Sequence, residues 1–173
     1  MSRTLEDLTK ETVKEGGVFA VLYFDMHSPE PEKLKQIATE FVGRITNEPG
    51  VLYAQGEIQE PVKGEDEIYS TNAEVHVLTQ SLTSLLGISM RYGPIGVEIL
   101  RPDNQLKLSL GEAHDILLLA AQNSFEFSRF IMNKVASPED KEKFNKDAER
   151  RAEMGKRLLE RKEKNEGESE AQR

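Results

Sequence analysis

Six residues have the right types and spacing for chemistry: Tyr23, Asp25, His27, Glu74, His76 and Glu98. Carboxylates beside an imidazole can hold a divalent cation or pass a proton, and a phenol can donate to either. Tyr23 and Asp25 are two apart, as are Glu74 and His76, so each pair occupies one face if its segment is a strand. Glu98 faces away from Ile95, Val97 and Ile99. If the strand registers agree, Tyr23, Asp25, Glu74, His76 and Glu98 converge on one sheet face. His27 stands at a strand's C-terminal end, where ligand sites of α/β folds tend to lie. The plainer alternative is that these are hydrogen-bonded strand residues that never meet. His114, the third histidine, falls in the first turn of a later helix, at the surface.

Stronger signatures are missing. The chain has no G-x-x-x-x-G-K-[ST], G-x-G-x-x-G, H-E-x-x-H or G-x-S-x-G motif, and no EF-hand loop. It has no cysteine, which excludes disulfides, thiolate ligands and a Cys nucleophile. No catalytic residue, metal or cofactor is assigned. The N-terminus has no apolar h-region, and no window approaches 18 consecutive apolar residues, so a soluble cytoplasmic protein that does not span a membrane is expected. Of 173 residues, 31% are charged and the net charge is −8. The last 36 residues hold 11 acidic and 11 basic side chains, so the acidity belongs to the first 137. An acidic body argues against nucleic acid as a partner. The mixed charge without cysteine fits a thermophilic source.

Periodicity gives the strands and helices that carry these residues. Thr4 and Asp7 open a short helix over 4–14, and Gly16-Gly17 ends it. "VFAVLYFDM", 18–26, is apolar enough to be a central strand buried on both faces. Leu34, Ile37, Ala38, Phe41, Val42 and Ile45 make a helical stripe between Pro31 and Asn47. Residues 51–60 and 68–78 alternate as two strands of a hairpin, joined through a loop at 61–67. Ser81 caps a helix to about 93, "IGVEIL" at 95–100 is a strand, and "LKLSL" at 106–110 reads as a short returning strand.

The order β-α-β-β-α-β resembles the ferredoxin-like split βαβ fold, over about residues 18–100. More narrowly it is similar to ligand-sensing modules of the ACT type, in an uncharacterised archaeal family. Such modules often carry a glycine at the first strand-to-helix turn, where an amino acid binds; here the turn reads "DMHSPEP". The resemblance implies a sheet with one face bare unless something covers it. With the helix that follows, an α+β domain is expected over 18–137, preceded by a helical segment at 1–17.

Ser109-Leu-Gly-Glu112 is a capping box that starts a helix of about 26 residues, ended by Ser137-Pro138. Its apolar residues include the unbroken run Ile116–Ala121 and wrap past one stripe. Helix 110–136 is therefore expected to roof the bare sheet face. Its surplus, Leu117, Leu118, Ala121, Phe125, Phe127 and Met132, is expected to meet a second subunit. Residues 138–173 read as a charged helical tail to about 163, disordered beyond, with Glu-to-Lys or Glu-to-Arg pairs four apart.

The leading expectation is a non-catalytic, self-associating α+β module that binds a small ligand or a protein partner. An RNA-associated protein using the tail, where 141–164 hold 10 basic against 6 acidic residues, is one alternative. An acid–base or metal-dependent enzyme built on the polar strand residues is the other.

Overall fold

The computed structural model describes residues 4–64 and 67–170, with side chains to Arg157. Part of the loop at 61–67 and the chain end at 171–173 lie outside the described residues. The chain divides into two units, 1–120 and 121–173.

The first unit begins with α1 (Leu5–Lys14), opened by a complete Thr4–Asp7 capping box. There follow β1 (Val18–Ser28), α2 (Pro31–Thr46), β2 (Val51–Ile58), the two-residue β3 (Val62–Lys63), β4 (Tyr69–Thr79), α3 (Leu82–Tyr92) and β5 (Gly96–Arg101). The α+β expectation holds. The sheet is open, antiparallel and five-stranded, in the order β2-β4-β1-β5, with β3 pairing β4.

Alternation along β1 divides the sheet into two faces. Val18, Ala20, Leu22 and Phe24 point to one side, where they meet Ala73, Val75 and Val77 of β4, Ile45 of α2, and Leu85 and Ile88 of α3. This is the core. Phe24, Phe41 and Tyr92 extend it as consecutive edge-to-face ring pairs, with centroids 4.8 and 5.2 Å apart. Two positions show how tightly α2 sits. A Cβ on Gly56 would come within 2.6 Å of Val42, whereas Ile37, expected in the buried stripe, is 52% exposed.

Among the described residues of the first unit, the opposite face is covered at one end by α1. Beneath it Val21 and Leu78 are buried, as is Thr12 of α1 itself. A Cβ on Gly17 would collide with Thr12 and with the Thr79 carbonyl, so the Gly16-Gly17 turn both stops α1 and lets it fold back. Farther along β1, Tyr23 is half-buried and Asp25 exposed. The strand expected to be buried on both faces is so only in its first half.

Helix α4 (Leu110–Val135) has the expected length, but no residue of it is buried. Its part within the first unit, 110–120, is not the roof of the second face. Its first turn instead reaches α3, on the core side: Glu112 Oε1 accepts a hydrogen bond from the Leu82 N–H at 3.0 Å, and Leu119 lies beside Gly87. The physical reason for the correction is that α1 already occupies the apolar end of that face, and the rest is polar. Residues 106–109 form no strand. Leu106 and Leu108 are exposed, so alternation without burial against the sheet does not hold the segment as a strand.

The second unit is helical. The C-terminal part of α4 meets α5 (Pro138–Glu170), with Phe125 stacked on Phe144 at 5.7 Å and Ser137 capping Asp140. The Glu142–Lys146 pair is made at 2.7 Å. Helix α5 continues to Glu170, past the end expected near 163. Among the described residues, no helix is long and apolar enough to cross a membrane.

Candidate functional site

The face of the sheet left open by α1 carries the polar residues. Register sets them in rows across the strands. Glu57 of β2 lies opposite Glu74 of β4, which lies opposite Tyr23 of β1, which lies opposite Gly96 of β5. The next row runs Gln55, His76, Val21, Glu98, and Asp25 pairs with Asn72 one row on the other side. Tyr23, Asp25, Glu74, His76 and Glu98 therefore share one face, and His27 joins it at the end of β1.

Sharing a face has brought only some of them into contact. The Tyr23 hydroxyl donates to Glu98 Oε2 at 2.9 Å. That bond, then desolvation, then the charges of Glu98 and Glu74 hold the phenol proton above its ordinary range. His27 Nε2 is 3.0 Å from Asp25 Oδ2, a separate and well-exposed pair. His76 leans instead on Phe19, ring centroids 6.0 Å apart. Among the described residues no three His, Asp or Glu side chains are placed to hold one cation.

Two small hollows flank these rows. One, of about 340 Å³, lies between Tyr23, Gln59, Asn72, Glu74 and Gly96. The other, of about 260 Å³, lies between Leu5, Phe19, Tyr53, Gln55 and His76. Gly96 opens the first: a Cβ there would press on the Tyr23 ring at 3.3 Å. Glu57 was not among the residues singled out from sequence. Its place one strand from Glu74 follows from the hairpin register, which the loop at 61–67 hides.

The apolar candidates divide similarly. Leu117, Leu118 and Phe127 are 68%, 58% and 65% exposed, and Ala121 is exposed too. Phe125 and Met132 are half-covered within the second unit, where both neighbour Phe144 or its surroundings. Sequence reasoning did not single out the apolar residues of β5 as an exposed surface. Val97 and Ile99 point to the core side, opposite Leu22 and Ala20, yet are 48% and 39% exposed because α2 and α3 stop short of this edge strand.

A family model matches residues 20–154, and by that match the chain belongs to the MJ0538 family, an uncharacterised family named for an archaeal protein. No curated protein and no solved structure matches the chain.

Proposed function

We propose that this member of the MJ0538 family is a self-associating, non-catalytic α+β module whose partner is a second copy of itself. The strand order β2-β4-β1-β5, with two helices on one face, supports reading the body as a ferredoxin-like, ACT-like split βαβ unit.

The observation that carries the proposal is the exposure of apolar side chains on the edge strand, in the segment after it and on the first half of α4. Val97, Ile99, Leu108, Leu110, Leu117 and Leu118 are each between 39% and 75% exposed. Among the described residues β5 pairs only with β1, which leaves one of its backbone edges without a strand partner there. Scaled to what is exposed, covering each side chain contributes about 1–2 kcal/mol. A two-fold pairing covers the set on both copies, which reaches the ~4–15 kcal/mol that association costs. Such pairing is self-complementary: the strand face of one copy receives the helix of the other. The polar residues on the opposite face favour an interaction module over an enzyme, since they form separate exposed pairs rather than one enclosed constellation.

Sedimentation of the double variant Val97→Lys/Leu117→Lys tests the assignment of the surface. Both side chains are exposed, so the fold is retained. The proposal expects the parent to sediment as an oligomer at micromolar concentration and the variant as a monomer. Equal sedimentation of the two overturns it.

A further inference from the structure

A groove of the first unit lies on the other face of the sheet, where α1 crosses the ends of β1 and β5. Its volume is about 960 Å³, in the range of small-molecule sites. One wall is a single face of α1, with Leu5, Thr9 and Val13 toward the sheet and Glu6, Lys10 and Lys14 beside them. The other wall is Phe19, Leu100 and Arg101. Leu5, Val13, Phe19 and Leu100 make the lining apolar, while three cations border it against one carboxylate, in a chain of net charge −8.

The cations are not equally engaged. Lys10 pairs with Glu6 at 2.6 Å, and Arg101 pairs with Asp103. Lys14 makes no ion pair among the described residues, yet stands on the groove. The lining is made of side chains from a helix face and a sheet face, apolar along its length and cationic at its border. A hydrocarbon chain ending in one negative charge needs no backbone partner, and both of its ends are matched.

We infer that this groove binds one amphipathic anion, a monomeric acyl carboxylate, with its chain along Leu5, Val13, Phe19 and Leu100 and its carboxylate between Lys14 and Arg101. The site lies on the opposite face from Val97 and Ile99 and does not depend on self-association.

Titration calorimetry of the full chain with decanoate, below its micellar concentration, tests this. Saturable one-site binding is expected. Lys14→Glu/Arg101→Glu, both exposed positions, should weaken it tenfold or more, and Val13→Trp should abolish it by filling the groove. Decyltrimethylammonium, with the same chain and the opposite charge, should bind at least tenfold more weakly than decanoate. Absence of decanoate binding, equal binding of both amphiphiles, or unchanged affinity in the charge-reversed variant each overturns the inference. So does retention on anionic phospholipid vesicles without binding of monomeric decanoate. Light scattering on the same charge-reversed variant separates the two proposals, because its oligomeric mass should match the parent's whether or not decanoate binds.

Discussion

The carboxylate of Glu112, in the first turn of α4, accepts a hydrogen bond from the backbone N–H of Leu82, the first residue of α3, at 3.0 Å. A helix start leaves N–H groups unpaired and carries partial positive charge, so a carboxylate there satisfies both. Ser109 Oγ still accepts from the Glu112 N–H at 3.1 Å. The S-x-x-E signature therefore caps its own helix with one half and a neighbouring helix with the other. This contact ties α4 to the core side of the sheet.

Replacing Glu112 with Ala should lower stability by about 1 kcal/mol, the scale of a lost helix cap. Urea unfolding measures it. The larger sign of success is local: amide exchange at Leu82 should accelerate more than exchange in β1.

The Tyr23–Glu98 contact predicts an alkaline effect. The folded state holds the phenol proton more tightly than the unfolded chain, chiefly through the hydrogen bond to Glu98. Its stabilisation is therefore present below the unfolded pKa of about 10 and is lost as pH rises through the folded value. Ultraviolet titration of tyrosinate should show Tyr23 among the late-titrating phenols. Glu98→Gln should bring it back toward the ordinary range. A Tyr23 that titrates identically in the two proteins contradicts the contact.

An acid effect of opposite sign is expected at Glu48. Its carboxylate accepts from the Tyr92 hydroxyl at 2.7 Å and from Arg91. The Tyr92 bond, together with Arg91, outweighs burial and holds the carboxyl below its ordinary value of 4.5. This stability is present above the unfolded pKa and is lost as pH falls through the folded value. Glu48→Gln should cost on the order of 1 kcal/mol at neutral pH and much less in acid. Parallel melting curves for parent and variant across that range would contradict it.

Two glycines should respond oppositely to alanine. Gly43 lies in α2 with nothing within 4 Å of an added Cβ, so Gly43→Ala should stabilise by about 0.5–1 kcal/mol. Gly56→Ala drives a methyl into Val42 and should destabilise by about 1–3 kcal/mol. Thermal melts of the two variants decide both.

Local signals in the sequence carried far, and longer-range ones did not. Thr4, Ser81 and Ser109 each announce the helix that follows, because a cap is a contact within four residues. Alternation placed Tyr23, Asp25, Glu74, His76 and Glu98 on one face for the same reason. Which helix covers that face is a contest between elements far apart in the chain. The apolar run of α4 suggested itself, but α1, with less apolar surface, is tied there by the Gly16-Gly17 turn. The exposure of Val97 and Ile99 was hidden likewise, since alternation gives the direction of a side chain and not whether a helix reaches over it. Leu106 and Leu108 read as a strand because their pattern alternates; neither is buried against the sheet, and the segment forms none.

The exposed apolar side chains of β5 and α4 are proposed to form an interface between copies. Light scattering on the unmodified full chain, followed across micromolar concentrations, tests it most directly. A mass that is a whole multiple of the 19.6 kDa chain, dissociating on dilution, is the predicted result. A mass of one chain at every concentration contradicts it.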